Sequence, residues 1–292
     1  MGREIDLWGQ SGYHAVKIAD HFFCCINRKP FTMLRQLTAT RYVTPLREGG
    51  SLPAIVEADD GGLYVMKFVG AGQGPKALIA EIIAGELARR LGFAVPEQVL
   101  MTLHPAIGRT EGDPEIRDLL SASIGVNLAM HFLPEAFAFN PLLRPGPAAD
   151  LASRIVWFDA FVTNVDRTPR NVNMLLWEEA LWLIDHGAAL YFHHSWDDYV
   201  ARSRTPFALI KEHALLPFAT SLPQADADLR PQITPALIQE VVSCVPDGWL
   251  LVDAPFTDVA AHRAAYVEYL LGRLAAAPAF VEEAVNAHAR LG

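Results

Sequence analysis

Asp166, Asn171 and Asp185 stand at spacings that suit the transfer of a phosphoryl group. Asn171 follows Asp166 by five residues, and Asp185 opens the string Asp185-His186-Gly187 beyond an apolar stretch. Phosphoryl transfer asks little covalent work of a protein. It needs a carboxylate that orients the attacking hydroxyl and accepts its proton, and oxygen ligands that hold a divalent cation against the phosphates. Asp166 can be the first. The amide oxygen of Asn171 and the carboxylate of Asp185 can be the second, because Mg²⁺ prefers hard oxygen donors and keeps several waters. The plainer reading is a polar loop beside an ordinary hairpin, with Asp185 as a turn residue.

These residues need elements that bring them together. Pro169 biases Thr168 toward an extended conformation and keeps regular structure out of the loop. Val172 and residues 174–177 form one apolar run, residues 181–184 form another, and Glu178 and Glu179 lie between them. That pattern predicts two short strands with a tight connection, which would return Asn171 and Asp185 to the same end. A mostly apolar helix is predicted over 151–162, running into the loop.

Upstream, strands are predicted over 41–43, 54–58, 63–69, 97–103 and 124–132, with a hairpin turn at Asp59-Asp60-Gly61-Gly62. Residues 76–91 carry apolar side chains on one helical face, and Gly92 ends the pattern. Lys67 falls in mid-strand, where it could hold phosphates as a point charge. Glu81 and Glu86 on the following helix are its candidate partners. Glu81 is preferred, and Glu86 lies within the apolar face and needs a partner of its own if buried. Gly49-Gly50-Ser51 offers backbone N–H groups to phosphate oxygens. Pro134, Pro141, Pro145 and Pro147 mark a boundary. After it the pattern is helical, with loops expected at Pro217, Pro223, Pro231, Pro246 and Pro255 and Ala-rich helices over 259–274 and 280–291. The layout is α+β and two-lobed: a poorly patterned extension over 1–32, a strand-rich lobe over 33–133 and a helical lobe over 134–292.

With these parts in place the chain resembles the HipA-like kinases and, more distantly, the phosphoinositide kinases. The resemblance spans about residues 41–192. It rests on the Gly-Gly-Ser loop, Lys67, the helix with Glu81, the segment NVDRTPRN from Asn164 to Asn171, and IDHG from Ile184 to Gly187. It implies a two-lobed protein-kinase-like fold with ATP in the cleft, Asp166 as base, Asn171 and Asp185 on Mg²⁺, and Lys67 on phosphate. It also implies that Met130, His131, Phe132 and Leu133 meet the adenine through backbone groups. Many relatives carry histidine two residues after the catalytic aspartate, where this chain has Thr168. The nucleotide loop of HipA-type toxins often contains Pro-Lys, where Pro53 is here followed by Ala54. The expected acceptor is a hydroxyl on a protein serine or threonine. Phosphoinositide or small-molecule phosphorylation and a nucleotide-binding scaffold without turnover are the alternatives. HipA-type toxins work beside a DNA-binding antitoxin, but such a partner does not follow from these motifs.

Composition narrows the field further. The chain has 292 residues, 51% hydrophobic and 20% charged, with net charge −9 and no basic run, which disfavours direct nucleic-acid binding. Three cysteines, Cys24 and Cys25 adjacent and Cys244 alone, suit a reducing cytosol, so a cytoplasmic protein is expected. No apolar run is long enough to span a bilayer. Gly70-Ala71-Gly72-Gln73-Gly74 misses the dinucleotide fingerprint in spacing and lacks the acidic residue that should follow. His193-His194 with Asp197 and Asp198 reads as a solvated loop.

Overall fold

The computed structural model describes residues 33–46, 52–72, 74–110, 112–142 and 144–291. The expected extension over 1–32 and Gly49-Gly50-Ser51 lie outside them.

Five strands close into a barrel: β1 (Arg35–Pro45), β2 (Ala54–Ala58), β3 (Leu63–Lys67), β4 (Gln98–Leu103) and β5 (Gly125–His131), in the order β1-β2-β3-β5-β4. All pairs are antiparallel except β1 with β4, where Arg35 faces Val99 and Thr38 faces Thr102. Ala39, Val56, Tyr64, Met66, Val99, Met101 and Ala129 belong to the barrel's own apolar core. β1 is longer than its apolar pattern predicts because most of its side chains face solvent and pairing on both edges holds it.

Helix α1 (Pro75–Arg90) starts with proline in its first turn and stops at Gly92, whose φ of 85° accommodates the reversal. It packs into a second, larger core that includes Ile79, Ile82, Leu87, Phe93, Trp157, Phe158 and Phe161. Helix α2 (Pro114–Ala122) was not expected, though its start is written in the chain: Asp113 accepts the Glu115 N–H and Pro114 follows it. A short strand β6 (Phe137–Ala138) leads to α3 (Ala149–Phe161), and then β7 (Met174–Trp177) and β8 (Ala180–Leu183) form the expected hairpin. Glu178 and Glu179 turn it with φ of 48° and 61°.

The remainder is helical: α4 (Tyr199–Arg202), α5 (Leu222–Leu229), α6 (Pro235–Ser243), α7 (Val259–Ala275) and α8 (Ala277–Ala289). Pro217, Pro223 and Pro231 do not sit in plain loops as expected. Each lies in the first turn of a short helix, where a missing N–H costs nothing. Nor is His193 part of a solvated loop. It is fully buried against Tyr266 in an aromatic cluster, while His194, Asp197 and Asp198 are exposed. Among the described residues no helix is long and apolar enough to cross a membrane.

Candidate active site

Lys67 is the last residue of β3, and its ammonium is held between two carboxylates. Nζ lies 2.5 Å from Glu81 Oε2 and 2.6 Å from Asp185 Oδ1. Glu81 sits on the buried face of α1, fourteen residues on, and Asp185 follows β8. Two further contacts set Glu81. Gln98 of β4 donates to its backbone carbonyl, and this approach needs Gly85, because a Cβ there would collide with the Gln98 amide. His186 Nδ1 lies 3.4 Å from Glu81 Oε1. Burial is the largest influence on Lys67 and works against its charge, but the two carboxylates together raise its pKa above the ordinary value. Burial likewise works against the Glu81 carboxylate, yet Lys67 and His186 hold its pKa well below the usual range. Glu86, the other candidate, is buried too and pairs instead with Arg89, with Arg90 farther off.

A second group forms where the chain leaves α3. Thr163 takes φ 52° and the Asn164 N–H reaches back to the Asp159 carbonyl, a helix ending that normally uses glycine. The Asp166 carboxylate then accepts from Asn171 Nδ2 at 2.6 Å and from Asn173 Nδ2 at 3.3 Å. Thr168, the departure from the family's histidine, closes the loop: Asn171 N–H meets both its carbonyl and its hydroxyl. Because Asp166 can only accept, the Asn171 amide must present nitrogen to it, which leaves the Asn171 oxygen directed elsewhere.

Arg167 joins the two groups from below. Its guanidinium is fully buried, with Nε 2.6 Å from Asp159 Oδ2. Nη1 donates to the carbonyl of Asn173 and, at 3.4 Å, to that of Ile184, the residue before Asp185. His213 Nε2 lies 2.9 Å from the same Asp159 oxygen. Neither Asp159 nor His213 was singled out from sequence. They lie eight residues before Arg167 and a long way after it, and their link to the loop is visible only in three dimensions.

Asp185 itself has φ 52°, a left-handed conformation that aspartate tolerates better than most side chains. Its side chain is 45% exposed, and its second oxygen makes no hydrogen bond among the described residues. A hard divalent cation fits that donor set: a free carboxylate oxygen and an amide oxygen, with phosphate and water completing the shell. Among the described residues no group of three His, Cys, Asp or Glu could hold a metal ion, so a cage made of these side chains is not the arrangement here. Gly187 lies beside the first turn of α1, where a Cβ would meet only ordinary contacts.

The expected adenine segment spans the end of β5 and its exit. The N–H of His131 is taken by the Glu97 carbonyl and that of Phe132 by Leu63. The Leu133 N–H has no hydrogen-bond partner among the described residues. A groove of about 670 Å³ lies elsewhere, between α4, α6 and α7, so side-chain geometry rather than cavity size locates the site.

This arrangement can be compared with known proteins. A family model described as HipA-like kinase matches residues 40–283. The chain belongs to the HipA-like kinases. It is an ATP-dependent kinase by that membership. Among solved structures, the Helicobacter pylori proinflammatory kinase CtkA is 12% identical. The match covers 88% of this kinase and 99% of CtkA, with a TM-score of 0.55, which establishes a shared protein-kinase-like fold. A Golgi casein kinase solved with Mn/ADP bound is also 12% identical, over 86% of this chain and 74% of its own, at a TM-score of 0.47. No curated protein matches by sequence.

Proposed function

We propose that this HipA-like kinase moves the γ-phosphoryl group of ATP, with Mg²⁺, to a hydroxyl acceptor, most favourably a protein serine or threonine. The observation that carries the reading is Lys67 held between Glu81 and Asp185. An ammonium has three N–H donors. Two are committed to these carboxylates, and the third is left for a phosphate oxygen. Glu81 therefore acts by holding Lys67, and Lys67 by gripping phosphate.

Asp166 receives the proton of the attacking hydroxyl. The hydroxyl oxygen bonds to the γ-phosphorus as the bond to the β–γ bridging oxygen breaks, and ADP leaves. Asn171 and Asp185 would hold Mg²⁺, which would supply positive charge against the phosphates. The adenine lies against residues 130–133, with the Leu133 N–H as its backbone donor and the carbonyls of the segment as acceptors. Gly49, Gly50 and Ser51, outside the described residues, are the proposed backbone donors to the phosphates. Residues 33–133 form the nucleotide lobe and 134–292 the catalytic lobe.

The test is transfer from γ-labelled ATP into separate pools of protein, lipid and small molecules, for wild type and Asp166→Asn. The expected result is Mg²⁺-dependent label on protein serine or threonine that the variant does not give. Label confined to lipid or small molecules would move the acceptor to that class. Nucleotide binding without ADP formation in any pool would make the protein a scaffold. Fluorescent-nucleotide binding with and without EDTA tests the metal separately from turnover.

A further inference from the structure

The geometry points to Asp159 and His213 as positioning residues that set Asp166 and Asp185 from beneath, an inference that rests on the roles proposed for those two aspartates. Asp159 is fully buried and accepts three hydrogen bonds. Asn164 Nδ2 reaches Oδ1 at 3.0 Å, and Arg167 Nε and His213 Nε2 reach Oδ2 at 2.6 and 2.9 Å. Each partner passes the constraint on. The Asn164 side-chain oxygen accepts the Asp166 N–H at 3.1 Å, fixing the backbone that carries the reacting carboxylate. Arg167 holds the carbonyls of Asn173 and Ile184, fixing the chain just after Asn171 and just before Asp185. One carboxylate thus sets both the acceptor side and the metal side of the cleft.

His213 braces this arrangement from a distant stretch of chain. Its Nδ1 accepts the Leu215 N–H at 3.0 Å, so the ring carries its hydrogen on Nε2 and donates it to Asp159. Next to it, the Ala214 N–H donates to the Arg167 carbonyl at 2.9 Å. Stability alone does not call for such a network, because a buried ion pair can be replaced by apolar packing at little loss. What the hydrogen bonds of Asp159, Asn164, Arg167 and His213 do instead is hold the loop in one geometry. In phosphoryl transfer that geometry matters: a displacement of about 1 Å far from the chemistry can cost ~10²-fold in rate.

The test compares the full chain as wild type, His213→Gln, His213→Phe and Asp166→Asn. Glutamine can place an N–H where Nε2 stands, while phenylalanine fills the space without a donor. We expect His213→Phe to lower kcat for γ-phosphate transfer from Mg·ATP by about 10- to 100-fold with KM for ATP within about twofold. Glutamine should retain most of kcat. Amide hydrogen exchange over residues 164–173 should quicken in the phenylalanine variant and not in the glutamine one. Wild-type kcat and exchange in His213→Phe would overturn the assignment. So would equal damage in both variants to kcat and KM together, which is what plain packing predicts. If turnover is too slow to measure, exchange alone decides: equal protection in the two variants refutes the proposal. Wild-type turnover in Asp166→Asn would instead remove the reading of the site, a separate failure.

Discussion

Two buried ion pairs support the cleft, and they are built differently. Lys67–Glu81 is open at one end: its ammonium also meets Asp185, whose side chain is 45% exposed. Arg167–Asp159 is sealed, with both side chains at 0%. Burial opposes the charge of Asp159 as it does that of Glu81, and Arg167 and His213 hold the Asp159 carboxyl below its usual range. The open pair keeps a donor within reach of a ligand. The sealed pair touches nothing that could react and shapes the backbone around it. The same chemistry serves two ends, and exposure separates them.

The widest separation should come from the cleft itself. Asp166→Asn is expected to cut transfer by ~10²–10⁴ and leave the melting temperature and ATP affinity near wild type, since its contacts are with two side-chain amides at the surface of the loop. Transfer near the wild-type rate would show that another group takes the proton.

Next come the two pairs set against each other. Arg167→Met strands a sealed carboxylate and should lose about 3–5 kcal/mol in urea unfolding. Lys67→Met should lose less, roughly 1–3 kcal/mol, because Glu81 keeps His186 and Asp185 reaches water. Its main damage should be to ATP binding. Equal stability losses would erase the distinction between the pairs.

Acid offers a finer probe. The carboxylates of both pairs have depressed pKa values, so their stabilisation is fully present above the unfolded values near 4 and is lost progressively as pH falls from there through the lower folded ones. His262 behaves differently. Burial first, then Lys76 and Arg263, lower its pKa to about 4. Between its unfolded value of 6.5 and that point the unfolded chain takes up a proton that the folded state refuses, so stability falls as pH drops through that window. His193, also held low by burial and by His194, adds to the effect. A melting curve recorded from pH 7 to pH 4 should decline before either ion pair titrates, and His262→Phe should flatten it. An unchanged slope in the variant would place the acid sensitivity elsewhere.

The smallest effect concerns the hairpin that brings Asp185 back. Glu178 and Glu179 both hold positive φ at exposed turn positions, where Asn-Gly is far better suited. The double change Glu178→Asn, Glu179→Gly should add about 1 kcal/mol to stability with turnover unchanged, measurable by urea titration. A loss of stability would mean the glutamates make contacts that matter more than their backbone strain.

Much of this layout is legible in the chain. Alternating apolar runs fix the barrel strands, Gly92 ends α1, and the two glutamates mark the β7–β8 turn. The Asp166-to-Asn171 spacing and Asp185-His186-Gly187 locate the loop because local sequence governs local geometry. What escapes is long-range. Nothing near His213 says that it meets Asp159, and His193 looks solvated until Tyr266 closes over it. Helix α2 was missed for another reason. Its Asp113-Pro114-Glu115 start is clear, but it has only Ile116 and Leu120 to bury, too little for a periodic pattern.

Arg273 ties the end of the chain to its middle. Its buried guanidinium caps the carbonyls of Ala160 and Phe161 at the end of α3, 113 and 112 residues earlier in the chain, and burial lowers its pKa to about 10. During synthesis, the barrel and α3 leave the ribosome long before α7 does. The stretch that feeds the catalytic loop therefore waits with its terminal carbonyls open until residue 273 emerges. Translation order thus delays the final setting of the loop until nearly all of the chain has emerged.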